Sequence, residues 1–194
     1  MRRLFVILCA LSMPAAIAAA MYDTKHLPYS DAPSDTETAV AVSTLTEEGI
    51  VQGYTDGTFK PQRLVNRAEF LKMAMRAGGG EVLPIADTTC FVDVPPASWY
   101  APFVCAAKRD GIVSGNALVG VSSLQWTFDP LRPVQYEEAL KMLVKVYGLP
   151  SLGQSGEAWY DRYFRIANER GVGLQTWAGH RLTRAETARL VVAF

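Results

Sequence analysis

The stretch "LTEEGIVQGYTDGTFKPQRLVNRAEFLKMAMRA", residues 45 to 77, decides the fold because the chain repeats its pattern. A second copy runs from residue 106 to 148, and a shorter third copy runs from residue 165 to 194. The turn glycines of the copies, Gly49, Gly111 and Gly171, are 62 and 60 residues apart. This spacing predicts three repeats, which must pack on one another because a single helical pair cannot cover its own apolar face.

Each copy has the pattern of two helices joined by a loop. Apolar residues recur at helical spacing on both sides of the loop, and a glycine suited to a left-handed C-cap follows the first helix. The second helices begin at "NRAEF" (66–70), "QYEEA" (135–139) and "TRAET" (183–187). Asn66 with Glu69, and Thr183 with Glu186, have the spacing of capping boxes. We therefore predict an all-α fold, with repeats over residues 21–80, 81–150 and 151–194.

The first 20 residues have the features of a signal peptide. Arg2 and Arg3 precede the apolar stretch "LFVILCAL", and "AAIAAA" offers small residues for cleavage after Ala18 or Ala20. Loss of the two arginines leaves 17 basic residues against 19 acidic ones, which argues against a nucleic-acid partner. No other apolar run has the length of a transmembrane helix. We expect an exported protein.

Two cysteines remain after the signal peptide. Cys90 and Cys105 flank Pro95 and Pro96, which favour a turn that would bring the two sulfur atoms together. An even number of cysteines in an exported chain favours a disulfide. The alternative is a pair of unpaired, buried thiols.

The mature chain resembles a tandem of three S-layer homology domains, and the resemblance rests on several motifs. The first copy carries "YSD", "GIVQGYTDGTFKP" and "NRAEF". The second keeps "FVDVPPASWYAPFV" and "DGIVSG" but has an insertion before "TFDP", and Gln135 and Tyr136 replace the usual threonine and arginine. The third keeps "WYDRYF", "ERGVG" and "LTRAET" but lacks the "GY-DGTF" element.

The resemblance implies an intramolecular pseudo-threefold trimer with grooves between adjacent repeats. In this family the grooves bind an anionic secondary cell-wall polysaccharide, often a pyruvylated one. The arginine of the "TRAE" element and the glycine-rich loop are the usual contacts. The resemblance therefore implies noncovalent attachment to a cell-wall polysaccharide or peptidoglycan at the cell surface, with other envelope or S-layer proteins as further partners.

Arg67 and Arg184 are the first candidate ligand residues. Each lies in the first turn of a helix, where its charge opposes the helix dipole. A bound carboxylate would contact both the guanidinium and the backbone N–H groups and so offset this cost. The alternative is an ion pair between repeats, to an acid such as Asp31, Asp93 or Asp56, with no ligand.

Further candidates for glycan binding lie in the loop and before the first helices. Gly53 and Gly57 would let a sugar approach the backbone, and Asp56 would bind hydroxyl groups; alternatively, Asp56-Gly57 is only a tight turn and Phe59 is a core residue. Trp99 and Trp159 begin the first helices of their repeats and could stack on a sugar ring. The alternative for both is the core.

Nothing in the sequence predicts catalysis, a cofactor or a metal. Glu137 and Glu138 are neighbours on a helix and do not face each other. His26 and His180 are the only histidines, too few for a His-based zinc site or a Ser-His-Asp arrangement. We expect a binding module that is not an enzyme. The alternative is a structural or protein-interaction component of the envelope that has lost glycan binding.

Overall fold

The computed structural model describes residues 27–79, 90–116 and 126–194. The proposed signal peptide lies outside these residues, as does most of the insertion in the second repeat. Six α-helices are present in the described residues: α1 (Thr36–Glu47), α2 (Arg67–Ala77), α3 (Ala101–Arg109), α4 (Tyr136–Val146), α5 (Asp161–Glu169) and α6 (Arg184–Ala193). Strand-like pairing in the same residues is limited to isolated bridges. The prediction of an all-α fold is confirmed for this part of the chain.

The helix ends agree with the local signals in the sequence. Asn66 caps α2 and Thr183 caps α6, each in a capping box with the glutamate three residues on. Gly49, Gly111 and Gly171 all have φ between 68° and 70°, so the left-handed turn predicted after each first helix is confirmed. These positions explain why glycine recurs at the same place in the pattern.

The chain divides into two compact units after Pro61. In the first unit, Asp31 accepts hydrogen bonds from the backbone N–H groups of Phe59 (2.6 Å) and Lys60 (2.9 Å). The Tyr29 ring lies against the fully buried Phe59 ring, with centroids 5.4 Å apart. The Tyr29 hydroxyl also lies 3.0 Å from Thr46 Oγ1 in α1. The segment before α1 and the loop after it are thus held to one core, and Phe59 is a core residue as predicted.

The second unit, from Gln62 to Phe194, contains α2 to α6. Three extended segments, each leading into a helix, form a closed ring of backbone hydrogen bonds. Val65 N–H donates to Leu182 O (3.0 Å), Leu182 N–H to Val134 O (3.1 Å), and Val134 N–H to Val65 O (2.9 Å). All three side chains are fully buried. The N-termini of α2, α4 and α6 are therefore brought together around one small core.

A second set of backbone bonds surrounds this ring. The first residues of the three helices, Arg67, Tyr136 and Arg184, donate their N–H groups to the carbonyls of Arg132, His180 and Arg63, respectively. Arg67, Tyr136 and Arg184 thus occupy equivalent positions in the second unit. The pseudo-threefold packing of three complete repeats stays a prediction, and so do their boundaries.

The predicted disulfide is confirmed. Cys90 and Cys105 are bonded, with their Cα atoms 5.2 Å apart, and both residues are buried. The bond joins the segment before Pro95 to the middle of α3. None of the helices in the described part of the chain is both long and apolar enough to cross a membrane.

Candidate functional site

An open groove of about 250 Å³ lies on the second unit beside Arg67. Its walls come from the first turn of α2, the loop after α3, one side of α4 and the segment before α5. The lining residues are Arg67, Ile112, Val113, Ser114, Gly115, Asn116, Glu138, Lys141, Met142 and Trp159. Two residues predicted as ligand contacts, Arg67 and Trp159, therefore meet in one groove.

Arg67 is held firmly at the base of this groove. Its Nε donates to Phe128 O (2.8 Å), its Nη1 lies 2.7 Å from Glu138 Oε1, and its Cζ lies 4.8 Å from the centroid of the Phe128 ring. Only 5% of the residue is exposed. Burial lowers the pKa of Arg67, while the charge of Glu138 acts in the opposite direction. The position of the guanidinium is thus determined by the protein before any ligand arrives.

Glu138 is the acid that pairs with Arg67. An ion pair at Arg67, the alternative to ligand binding, is thus present, but its acid is Glu138 and not one of the suggested residues Asp31, Asp93 and Asp56. Asp93, for example, accepts the backbone N–H groups of Phe128 and Asp129 instead. Glu138 lies at N3 of α4, and it accepts the N–H of Gln135 (3.1 Å). The same carboxylate therefore caps α4 and holds Arg67.

A second arginine shares this carboxylate. Arg132 Nη2 lies 2.6 Å from Glu138 Oε1, and Arg132 Nη1 lies 3.2 Å from Oε2. Burial would raise the pKa of Glu138, but the hydrogen bond from Arg132, the charge of Arg67 and the N–H of Gln135 outweigh burial, and the pKa is lowered. Glu138 is consequently ionised at neutral pH, and two permanent positive charges surround its one negative charge.

Lys141 and Trp159 form the outer wall of the groove. Lys141 Nζ lies 5.7 Å from the centroid of the Trp159 ring, within range of a cation–π interaction. Burial lowers the pKa of Lys141, and the charges of Lys145, Arg67 and Arg162 act in the same direction, against that of Glu138. Among the lining residues, Arg67 and Lys141 leave one positive charge in excess of Glu138. The groove therefore favours an anion beside a flat apolar ring.

The loop wall of the groove requires glycine at position 115. Gly115 has φ +75°, and a Cβ atom there would lie 2.3 Å from Phe91 Cε1 and 3.0 Å from Thr127 O. The Phe91 ring is also stacked on Phe128, with centroids 5.8 Å apart. Because Phe128 in turn contacts Arg67, the loop and the arginine are supported by the same two aromatic rings.

The loop residues predicted in the first repeat, Gly53, Asp56 and Gly57, lie together in one turn of the first unit. Asp56 accepts hydrogen bonds from Thr58 N–H and Thr58 Oγ1 and pairs with Lys60 Nζ at 2.9 Å. The hydrogen bonds from Thr58 and Lys60 lower the pKa of Asp56 to about 2. A Cβ at Gly53 would lie 2.4 Å from Tyr29 Cε1. Close packing against Tyr29 therefore already explains the glycine at position 53.

Trp99 and Trp159 lie two residues before the helices that they were predicted to begin. Trp99 is 51% exposed and Trp159 is 49% exposed, so the core alternative is wrong for both. Lys72 Nζ lies 5.5 Å from the centroid of the Trp99 ring, as Lys141 does from Trp159. The second unit thus has two lysine–tryptophan pairs of the same kind.

The other two positions equivalent to Arg67 differ from it. Arg184 begins α6 and is partly exposed, and its N–H donates to Arg63 O. Tyr136 is buried, accepts the N–H of Leu174 at its hydroxyl (2.8 Å), and lies edge-on to Phe164. In the second repeat, the phenol of Tyr136, hydrogen-bonded to Leu174, therefore takes the place that the guanidinium of Arg67 has in the first repeat.

The two adjacent glutamates of α4 contact different partners. Glu137 accepts the N–H of Gly179 (2.7 Å), whereas Glu138 contacts the two arginines. The described residues contain no group of three His, Cys, Asp or Glu side chains arranged to hold a metal ion.

Sequence reasoning missed the basic residue that accompanies each N3 glutamate. Arg63 pairs with Glu69 (2.9 Å), Arg132 with Glu138 (2.6 Å), and His180 Nε2 lies 2.9 Å from Glu186. In each case the basic residue lies six positions before the glutamate. Aligning the three copies on their N3 glutamates would have shown this spacing, and it would have directed attention to Glu138 as an acid with two arginine neighbours.

Comparison with protein families agrees with the motifs in the sequence. Residues 28–71 and 91–118 match the model of the S-layer homology domain. The two matched segments cover the first copy as far as α2 and the region from Phe91 through α3 to the groove loop.

Several surface proteins are similar to the chain. A surface layer protein of Brevibacillus choshinensis is 33% identical over 147 residues, and a middle cell wall protein of Brevibacillus brevis is 32% identical over 138 residues. These matches cover 74% and 70% of this chain but only 12% of either relative. An amylopullulanase of Thermoanaerobacterium thermosulfurigenes is 37% identical over 78 residues, which are 4% of that protein. The similarity is thus to a small part of much longer proteins.

Proposed function

Because the chain carries S-layer homology sequence in two segments, we propose that it is a non-catalytic module that attaches to an anionic cell-wall polysaccharide through the groove beside Arg67. The observation that carries the proposal is the convergence of Arg67, Lys141 and the exposed Trp159 ring in that groove. A carboxylate-bearing sugar offers both an anion and an apolar ring face, and this groove provides a partner for each.

The energetics favour an anion that binds between Lys141 and Trp159. Burial and neighbouring positive charges lower the pKa of Lys141, so its charged form is less stable than it would be in water, and a bound carboxylate would offset that cost. Arg67 adds a fixed charge behind them, already oriented by Phe128 and Glu138. A site prepared in this way loses little conformational entropy when its ligand binds.

The proposed number of sites follows from the equivalent positions. Tyr136 carries no charge where Arg67 has its guanidinium, and its hydroxyl is bonded to Leu174, so we assign no anion site there. Arg184 is the second candidate contact because its position is equivalent to that of Arg67. Lys72 and Trp99, the other lysine–tryptophan pair, are further candidates. Gly53, Asp56 and Gly57 remain candidate contacts for the same class of ligand.

The names of the relatives support a location at the cell surface. They are a surface layer protein and a middle cell wall protein, and the shared region also occurs in an amylopullulanase. A region found in proteins with such different names is better suited to attachment than to a particular reaction. We therefore propose a cell-wall or S-layer location, with peptidoglycan-linked glycan as the partner and no enzymatic activity.

The test is sedimentation with purified cell-wall sacculi before and after acid removal of the wall polymers. We expect the protein to sediment with untreated walls and to stay in solution with stripped ones. Lys141→Gln and Trp159→Ala should each weaken binding about ten-fold, which corresponds to about 1.4 kcal/mol. Trp177→Ala is the matched control, because Trp177 is exposed but does not line the groove. Equal sedimentation with both wall preparations would contradict the proposal.

One observation favours the alternative, a structural or protein-interaction component of the envelope. Arg67 already has a carboxylate partner in Glu138, as an arginine with a purely structural role would. In that case Lys141→Gln and Trp159→Ala would leave wall binding unchanged. Other envelope or S-layer proteins would then be the partners to identify.

A further inference from the structure

We propose that the Cys90–Cys105 disulfide, acting through Phe91, is a positioning element of the groove, so that thiol–disulfide exchange at this bond controls how well the groove is formed. The inference concerns regulation of the site and, for its effect on wall binding, rests on the proposed function.

The disulfide anchors the backbone immediately before Phe91. Cys105 lies in α3, and its bond to Cys90 ties residue 90 to that helix. Lys108, one turn further along α3, donates to Cys90 O, and its Nζ lies 4.3 Å from the centroid of the Phe91 ring. The position of Phe91 against α3 therefore depends on a covalent bond and on one lysine.

Phe91 transmits this position to both sides of the groove. On one side its ring fills the space above Gly115, in the loop wall. On the other side it is stacked on Phe128, whose carbonyl and ring hold Arg67. Movement of Phe91 would therefore loosen the loop and the arginine together.

In the first repeat, the aromatic residue equivalent to Phe91 is held to its helix without a disulfide. There Tyr29 corresponds to Phe91 and Gly53 to Gly115, with a similar close approach of the ring to the glycine. The Tyr29 hydroxyl bonds directly to Thr46 of α1. Phe91 has no hydroxyl, and Lys108 stands at the position that corresponds to Thr46. The second repeat therefore uses the disulfide where the first uses a side-chain hydrogen bond.

The chemical step is exchange with a dithiol. Its thiolate attacks one sulfur of the disulfide, the Sγ–Sγ bond breaks, and a second attack releases the dithiol as a cyclic disulfide. Two electrons and two protons pass to Cys90 and Cys105, which become thiols. An oxidising location closes the bond, and a reducing one opens it.

Hydrogen–deuterium exchange on the full chain tests the structural part without any wall polymer. With dithiothreitol we expect amides 112–116 to exchange at least about ten-fold faster, while α6 changes by less than about two-fold, as local rather than global opening predicts. A Cys90→Ser, Cys105→Ser double variant should exchange like the reduced protein and should not respond to dithiothreitol. Unchanged exchange at 112–116, or equal loss of protection in α6, would overturn the proposal.

A second variant tests Phe91 with the disulfide intact. Phe91→Leu removes the ring that fills the space above Gly115, whereas Val92→Ala changes a neighbouring, largely exposed side chain. Faster exchange at 112–116 is expected for the first variant only. Identical exchange in the two variants would count against transmission through Phe91.

Wall binding is measured separately by sedimentation. Reduced protein should bind untreated walls about ten-fold more weakly than oxidised protein, a loss of about 1.4 kcal/mol. If the oxidised protein does not bind walls at all, the proposed function is wrong, while the exchange experiment still decides the role of the disulfide. If the oxidised and reduced proteins bind equally well, control of binding by this bond is refuted.

Discussion

Replacement of Glu138 by glutamine should destabilise the second unit strongly, because two arginines converge on this carboxylate. The substitution keeps the shape of the side chain but removes the charge that Arg67 Nη1 (2.7 Å) and Arg132 Nη2 (2.6 Å) face. Loss of one partner from a buried ion pair costs about 3–5 kcal/mol. We expect about 3 kcal/mol, the lower end, since the Arg132 side chain is one-third exposed and can rehydrate.

Thermal unfolding followed by circular dichroism measures this effect. At roughly 2–4 °C per kcal/mol for a chain of this size, Glu138→Gln should lower Tm by about 6–12 °C. Glu186→Gln is the matched control. Glu186 is also an N3 capping glutamate, but its basic neighbour is His180, and Tyr136 lies at the position equivalent to Arg67. The control should cost only about 1 kcal/mol, as the loss of a helix cap does. Equal costs for the two variants would refute the reasoning that Arg67 depends on Glu138.

Three further predictions concern pH, the loop and a helix cap. The folded-state pKa of Glu138 is lowered, so this carboxylate stabilises the fold above its ordinary pKa, and the effect is lost as the pH falls through the folded-state value. The free energy of unfolding, measured as the pH is lowered, should therefore fall less steeply in Glu138→Gln than in the unmodified protein. Gly115→Ala should lower the free energy of unfolding in denaturant by about 1–3 kcal/mol more than Gly111→Ala does. Both glycines have positive φ, but only at position 115 would the added methyl group clash with Phe91. Similar costs for the two variants would contradict this. Asn66→Ala should remove about 1 kcal/mol by deleting the bond to Glu69 N–H, and unchanged stability would show that the cap is dispensable.

The local features of the fold were predictable because each depends on few residues. The capping boxes of α2 and α6 and the left-handed glycines after the first helices follow from side-chain and backbone chemistry within a few positions. The disulfide was predictable for a similar reason, since the turn between Cys90 and Cys105 limits where the chain can go.

The candidate site was only partly predictable. Arg67 and Trp159 were identified from the repeat pattern, but their meeting in one groove was not, because α2 and the segment before α5 are far apart in the chain. The exposure of Trp99 and Trp159 could not be predicted either, because an aromatic residue near a helix has the same local sequence pattern whether it is buried or exposed.

The sequence by itself determined the repeated sequence pattern, the helices, their caps and the family resemblance, because these depend on residue type and spacing along the chain. Only the tertiary structure decided that Glu138 is the partner of Arg67, that Lys141 and Trp159 stand together, and that Phe91 links the disulfide to the groove. The physical reason is the ring of hydrogen bonds among Val65, Val134 and Leu182. It brings distant helix N-termini together, and no periodicity within one repeat specifies which charges then face each other.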